Sequence, residues 1–343
     1  MRRCIGLAEL GIGHVAPNPM VGAVLVHNEH IIGEGYHQQF GEAHAERNCL
    51  ASVRPEDRNL IGDSVMYVSL EPCAHLGKTP PCADLIIQHR IPKVVIGCRD
   101  PFEQVNGQGI DKLKIAGVEI VEGVLENACR ELNKRFICFH TQHRPYIILK
   151  WAQTSNRKIG GEEGRLRITN EFTNRIVHRW RSEESAILVG TNTARQDDPQ
   201  LTTRLWPGRN ATRVVIDMDL SLPSFLNLFN EEAKTIVFNA KVHEEKKNIT
   251  FYQVTEDVSL VQQITNALYQ LKIQSVIVEG GFRLLQSFID EGCWDEARII
   301  TNEDMMIQNG LSAPDPGAAI RMTQQKILSD HIQVFKSPNL DYI

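Results

Sequence analysis

The sequence predicts two α/β domains in tandem, and three observations predict them. Its 343 residues exceed what one hydrophobic core usually spans. Short β-branched runs alternate with helical patterns on both sides of a polar, proline-containing interruption at 141–145. The composition, 42% hydrophobic and 23% charged, is that of an ordinary globular protein.

In the first half, residues 1–11 read as a short helix, and the apolar runs 21–26 and 31–33 as a hairpin turning at Asn28-Glu29. A helix follows at 45–53, a strand at 65–69, and a helix at 83–90 introduced by Pro80-Pro81. Residues 93–97 form a β-branched strand, and a loop with Gly107 and Gly109 leads to a helix at 110–116. A strand at 118–121 and one helix at 126–138 complete this half. Beyond the interruption come a strand at 146–151, a helix at 171–181 and strands at 186–189, 214–217 and 235–238. A helix at 259–271, a strand at 275–279, a helix at 283–291 and a strand at 297–301 end the series. Phe172, Ile176 and Trp180, four residues apart, make one apolar stripe predicted to face the core. No repeat of fixed period and no low-complexity segment interrupts the pattern.

A formal net charge of -5 argues against general attraction to a polyanion. No apolar run is long enough to cross a bilayer. Arg2 and Arg3 precede a short stretch that carries Glu9, which reads as an amphipathic helix rather than a secretory signal. A cytoplasmic protein is therefore expected. Eight cysteines in such a chain read as thiols or metal ligands rather than a disulfide framework. Cys73 and Cys82 lie in polar, Gly/Pro-rich surroundings, whereas Cys4, Cys49, Cys98, Cys129, Cys138 and Cys293 lie where a small buried hydrophobe is expected.

The sharpest chemical signal is His44-Ala45-Glu46, followed by Pro72-Cys73 and Pro81-Cys82. Zinc takes nitrogen and sulfur ligands in a tetrahedral set, and a catalytic zinc keeps one position for water. One histidine and two thiolates leave that position open. Glu46, two residues from the candidate ligand, is placed to move protons between water and a departing amine, the arrangement known in zinc deaminases. Residues two apart do not share a helix face, so His44 and Glu46 are expected at a helix mouth. Helix N-termini favour thiolate, which suits Cys73 and Cys82 behind their prolines. A purely structural zinc site would want a fourth protein ligand, for which His75 and His37 are available.

These residues, with Ala16-Pro17-Asn18-Pro19-Met20-Val21-Gly22, Gly33-Glu34-Gly35-Tyr36-His37 and Glu71 to Cys82, resemble the deaminase half of the bifunctional riboflavin-biosynthesis deaminase/reductases. Eight residues separate the two cysteines, unlike the two in cytidine and tRNA-adenosine deaminases. The resemblance implies a diaminopyrimidinone ribosylamine 5′-phosphate substrate deaminated to the corresponding uracil. It makes Asn18 a base-edge contact and Lys78 a phosphate or base partner. The plain alternatives are a turn residue before Pro19 and a solvated lysine.

Ser275 to Gly281 runs from a buried strand into a glycine turn that opens a helix, where backbone N–H groups can approach a phosphate. Taken alone, Gly-Gly after a strand is only a tight turn. With it, Lys150-Trp151-Ala152, Ile187 to Thr193 and Arg195 to Arg204 resemble the reductase half of the same family. The resemblance then covers nearly all of the chain. It implies a cytidine-deaminase-like three-layer α/β/α domain over 1–143 and a dihydrofolate-reductase-like α/β domain over 145–343. The second moves hydride from NADPH to the ribose C1′, opening the sugar to a ribityl chain. By motif, Ala152, Thr193, Asp197 and the turn from Gly281 meet the cofactor, while Arg181, Leu201, Arg204 and Glu279 meet the sugar phosphate. Paired arginines match phosphate oxygens, although Arg181 also reads as a helix-end cation.

The chain departs from the family pattern at Thr154-Ser155-Asn156-Arg157, where Ser-x-Asp-Gly is usual, and at Arg165-Leu166-Arg167, where a Ser-x-Trp segment is often found. These changes leave open a deaminase whose second domain only binds a nucleotide. A structural-zinc module acting on nucleic acid is opposed by the net charge and by the absence of a basic, aromatic-interleaved stripe. The expected cofactors are Zn2+ and NADPH. The expected partners are a small phosphorylated pyrimidine and further copies of the chain in a homo-oligomer, with no nucleic acid and no membrane.

Overall fold

The computed structural model describes residues 1–74, 80–102, 105–160 and 166–340. They fall into two compact units, Met1–His143 and a second that begins at Arg144.

The first unit contains α1 (Arg2–Ala8), β1 (Gly22–His27), β2 (His30–Tyr36), α2 (Ala45–Ala51), β3 (Val65–Leu70), α3 (Cys82–Gln88), β4 (Lys93–Cys98), α4 (Gln108–Ile115), β5 (Glu119–Val121), α5 (Glu126–Leu132) and α6 (Lys134–Gln142). The sheet order is β2-β1-β3-β4-β5. The hairpin edge is antiparallel and β3, β4 and β5 run parallel. Asn28 and Glu29 turn the hairpin with φ of 43° and 68°. Strand periodicity sends Ala23, Leu25, Met66, Val68, Val94 and Ile96 to one face, where α2, α3 and α4 cover them. Val24 and Tyr67 face the other way, against Cys4 and Leu7 of α1, and Leu70 and Cys98 meet Cys129 of α5. Helix–sheet–helix layering follows from strands that are apolar on both faces.

One expectation is corrected here. The helix expected at 126–138 is two helices, broken at Asn133. Intrinsic propensity gives no break there. Instead the Asn133 amide accepts from Met20 N and donates to Met20 O, at 2.8 and 2.9 Å, so a contact 113 residues distant sets the corner.

The second unit contains β6 (Tyr146–Thr154), β7 (Lys158–Gly160), α7 (Glu171–Glu183), β8 (Ala186–Val189), α8 (Thr191–Asp197), β9 (Thr212–Ile216), β10 (Thr235–Asn239), β11 (Glu244–Lys246), β12 (Ile249–Gln253), α9 (Leu260–Gln270), β13 (Ser275–Val278), α10 (Phe282–Asp290), β14 (Glu296–Asn302), β15 (Leu311–Ser312), β16 (Ile320–Ile327) and β17 (Asp330–Lys336). Its large sheet has the order β11-β12-β10-β9-β8-β13-β6-β14-β17-β16. From β12 to β14 the strands are parallel, and antiparallel strands close both edges. The central strands β8 and β13 are buried throughout, as a parallel sheet covered on both faces requires. Helices α9 and α10 cover one face. Val177 of α7 and Ala194 of α8 pack on the other.

The sequence expectations stop at Thr301 and miss the β16–β17 hairpin. Strand β16 is exposed along most of its length, so no apolar period marks it. Phe172 is also corrected. It is 46% exposed, while Ile176 and Trp180 alone pack inward. Cys293 is only partly buried.

The departure after β6 is accommodated rather than remodelled. Arg157 takes φ +57°, the left-handed region that favours glycine, and its N–H closes the turn on Thr154 O at 2.9 Å. Asn156 accepts from Thr154 Oγ1 at 2.7 Å and donates to Ile307 O at 2.7 Å. Arg157→Gly is therefore expected to stabilise the fold by about 0.5–1 kcal/mol, because the relieved left-handed strain exceeds glycine's entropic cost. Denaturant unfolding of the two proteins checks it, and an unchanged or lower midpoint contradicts it.

Candidate functional sites

Three elements of the first unit meet at one point. His44 is the N-cap of α2 and holds extended backbone. Cys73 lies beyond the end of β3, and Cys82 is the first residue of α3 behind Pro81. His44 Nδ1 stands 3.6 Å from Cys73 Sγ and 3.5 Å from Cys82 Sγ, and the three donor atoms lie within 4.8 Å of one another. The Cys82 backbone N–H donates to Cys73 Sγ at 3.3 Å, so the start of α3 supports a thiolate there. Cys73 is held down at about 4, first by hydrogen bonding from Cys82, with His44 and that amide adding to it. Cys82 is pushed well up by the same shared proton and by burial. A dication relieves this conflict between two crowded sulfurs, so the donor set fits zinc.

Glu46, on the first turn of α2, is 3% exposed, and its side chain meets Cys82. Burial and then the neighbouring Cys73 raise its pKa. The two alternatives for a fourth ligand part company. His75 and Lys78 lie outside the described residues. His37 is 2% exposed, with Nδ1 at 3.0 Å from Ala43 O and Nε2 at 3.0 Å from Asn18 Nδ2. Its ring packs edge-on against His44 at 5.4 Å, and both of its nitrogens are taken. Burial first, then the nearby His44, lower its pKa.

Glu71 escaped the sequence reading although it opens a quoted motif. Buried at 3% exposure, it accepts backbone N–H groups of Asp100, Gly107, Gly109 and Ile110 at 3.0–3.3 Å. It thereby ties the glycine loop down beside Cys73. Gly109 is required there, since a Cβ would sit 1.9 Å from Pro72 O. No local pattern links Glu71 to a loop 36 residues further on, and only the fold brings them together.

In the second unit the carboxyl ends of β6, β8 and β13 lie side by side, the usual place for a ligand on a parallel sheet. A cavity of about 490 Å³ is lined by residues that include Gly190–Thr193 and Gly281–Leu284. Two of the residues expected to meet a cofactor come together in it. Gly281 N donates to Thr193 Oγ1 at 3.1 Å. Ala152 and Asp197 are not among the residues that line it.

Beside this lies a buried charged cluster. Arg181 grips Glu279 through Nε and Nη2 at 3.1 and 2.7 Å, and Lys150 Nζ stands 3.7 Å from the same carboxylate. Burial would raise Glu279, but Arg181 and Lys150 outweigh it and hold the group at about 2. Burial lowers Lys150. With two cations to one anion, the cluster keeps a positive excess suited to a phosphorylated ligand. Lys150 opened a recognised strand without being assigned a role. Leu201 buries its side chain and holds φ +53°, so only its backbone is offered to a ligand. Arg204 donates through its backbone N–H to His178 Nδ1 at 3.0 Å and through Nη1 to Thr202 Oγ1 at 2.9 Å.

Fold and sites define a two-domain α/β enzyme, a cytidine-deaminase-like zinc domain followed by a dihydrofolate-reductase-like domain. Residues 1–98 match the cytidine and deoxycytidylate deaminase zinc-binding region, and residues 145–303 match the RibD C-terminal domain. The riboflavin biosynthesis protein RibD of Aquifex aeolicus is 38% identical over 323 residues, covering 92% of this chain and 89% of that one. RibD of Synechocystis is 36% identical, covering 96% and 91%. A solved diaminohydroxyphosphoribosylaminopyrimidine deaminase/5-amino-6-(5-phosphoribosylamino)uracil reductase from Thermotoga maritima has a TM-score of 0.89 at 37% identity over 98% of this chain and 97% of that one. The chain belongs to the RibD family, the bifunctional deaminase–reductases of riboflavin biosynthesis. It is thus an enzyme that uses Zn2+ in its deaminase domain and NADPH in its reductase domain. No helix among the described residues is long and apolar enough to cross a membrane.

His178 supplies a pH test of the second site. Burial, then Arg181 and Arg204, lower it from 6.5 to about 4. The folded state thus favours the neutral ring, and the unfolded chain takes up the proton first. Stability from this group is present above pH 6.5 and is lost as pH falls towards about 4. His178→Asn keeps an acceptor for Arg204 N–H and does not titrate. Thermal melts should show a shallower decline for the variant between pH 6.5 and 4. Parallel profiles would contradict the assignment.

Proposed function

We propose that the first unit hydrolytically deaminates 2,5-diamino-6-ribosylamino-4(3H)-pyrimidinone 5′-phosphate, and that the second unit reduces the ribosyl group of the resulting uracil to a ribityl chain. The observation that carries this reading is the convergence of His44, Cys73 and Cys82 beside buried Glu46. Three protein donors among the described residues suit a catalytic rather than a structural site, in which a fourth tetrahedral position is kept for water. His44, Cys73 and Cys82 would hold the zinc, which would supply a Lewis acid able to lower the pKa of water to about 7. Glu46 would accept a proton from that water and pass it to the departing ammonia. The ring carbon gains an oxygen and loses its amino nitrogen. Burial raises the Glu46 pKa, so the group holds a proton more readily than an exposed carboxylate, which suits a residue that both takes and returns one. Asn18 reads the base edge, and Lys78 takes the phosphate or base.

In the reductase, NADPH supplies the hydride, and the protein supplies placement and charge. Thr193, Gly281, Ala152 and Asp197 are assigned to the cofactor. Arg181, Leu201, Arg204 and Glu279 are assigned to the sugar phosphate, with Lys150 sharing the Glu279 carboxylate. The intact charged cluster supports an active reductase over a silent one, despite Arg157. A cytoplasmic location belongs to the same proposal, supported by eight cysteines without a disulfide. So does a homo-oligomer, for which the outer edge of β16, with Ile320 and Met322 exposed, offers a surface.

Glu46→Gln is expected to retain zinc and to lose at least about a hundredfold of ammonia release, the scale of a general acid–base group. Full activity would refute the role. The same variant should oxidise NADPH only when given the deaminated intermediate. Removing zinc by chelation should reproduce that pattern in the unaltered enzyme. Equal NADPH consumption from the diamino compound would overturn the reaction order.

A further inference from the structure

His37 is buried against the metal-binding histidine yet coordinates through neither nitrogen. Its Nδ1 lies 3.0 Å from the carbonyl oxygen of Ala43, which only accepts, so Nδ1 carries the proton. Nε2 is then a lone-pair acceptor, and its partner at 3.0 Å must be the donating end of the Asn18 amide. The amide orientation is thereby fixed by chemistry. Nδ2 is turned to His37, and Oδ1 is the end left for a ligand. No hydrogen bond within the described residues engages that oxygen.

The backbone under Asn18 is held as firmly. Asn18 N donates to Val15 O at 2.9 Å, and the paired Asn133–Met20 hydrogen bonds clamp the chain two residues further on. His37 N in turn donates to Val21 O at 2.9 Å, so the histidine and the loop it orients move as one piece.

We propose that His37 is a positioning residue that presents Asn18 Oδ1 as a fixed hydrogen-bond acceptor for an amino or ring N–H group of the pyrimidine. The inference rests on the reading of Asn18 as a base-edge contact. An amide free to flip would accept or donate indifferently. An amide locked by a histidine of fixed tautomer selects a ligand edge that donates at that point. His37 acts through Asn18 alone, and not through the metal.

Two substitutions separate this role from simple packing. His37→Asn can keep a donor near the Ala43 carbonyl but removes the acceptor for Asn18. His37→Gln can place an acceptor where Nε2 stands. With zinc content measured for each protein, His37→Asn should raise the deaminase KM about tenfold, the scale of one lost hydrogen bond, with kcat little changed. His37→Gln should stay within about threefold of the parent KM, since the bond to Asn18 is kept. Asn18→Ala should raise KM as His37→Asn does, and the double variant should add nothing further.

Additive effects in the double variant would overturn the proposal while leaving Asn18 a substrate contact. So would equal losses from His37→Asn and His37→Gln, or loss of zinc in both. An unchanged KM in Asn18→Ala would overturn the reading of Asn18, and the inference with it.

Discussion

Two sulfurs and an imidazole lie within 4.8 Å of one another, close enough for two ionised thiols to repel, and the local structure of the first unit is arranged around that crowding. Each donor is delivered by a different piece of local structure. The N-cap of α2, the segment after β3 and the first turn of α3 converge because β1 and β3 are neighbours with α2 and α3 packed on the same face. The pair shares one proton, with Cys73 low and Cys82 high. Zinc held there would replace that proton and draw the three donors together, so that metal binding and local stability would share one origin.

Around this point the fold spends buried polar groups on loops rather than on the core. Glu71 holds the glycine loop by its amides, Asn133 holds the backbone at Met20, and His37 holds the Asn18 amide. Each is nearly inaccessible to solvent, where a hydrogen bond left unmade costs the full desolvation of the group. Loops that would otherwise sample many conformations are thus given one, which is what recognition of a flat heterocycle demands.

The second unit solves a different problem, holding like charges together around one buried carboxylate. Glu279 sits between Arg181 and Lys150, and the His178 pKa is lowered beside them, first by burial and then by the Arg181 and Arg204 guanidinium groups. The turn at Arg157 keeps its left-handed conformation without glycine, tied through Asn156 to the carbonyl of Ile307. A local rule is broken there and tertiary hydrogen bonds offset the cost.

The sequence alone determined which residues are chemically able to form a zinc site, where most helices and strands lie, and that two α/β domains follow one another. Those are matters of residue type, period and spacing, and they are written locally. His44-Ala45-Glu46 could be read as a helix mouth because two-residue spacing forbids a shared helix face. Tertiary structure alone decided that Asn133 splits a helix, that His37 serves Asn18 rather than a metal, and that Arg181 is paired with Glu279. The exposed β16–β17 hairpin and the outward turn of Phe172 belong to the same class. Each depends on a partner from 19 to 113 positions away in the chain or on a face left uncovered. A buried polar side chain is satisfied by whatever the fold brings to it, and no local pattern records that partner.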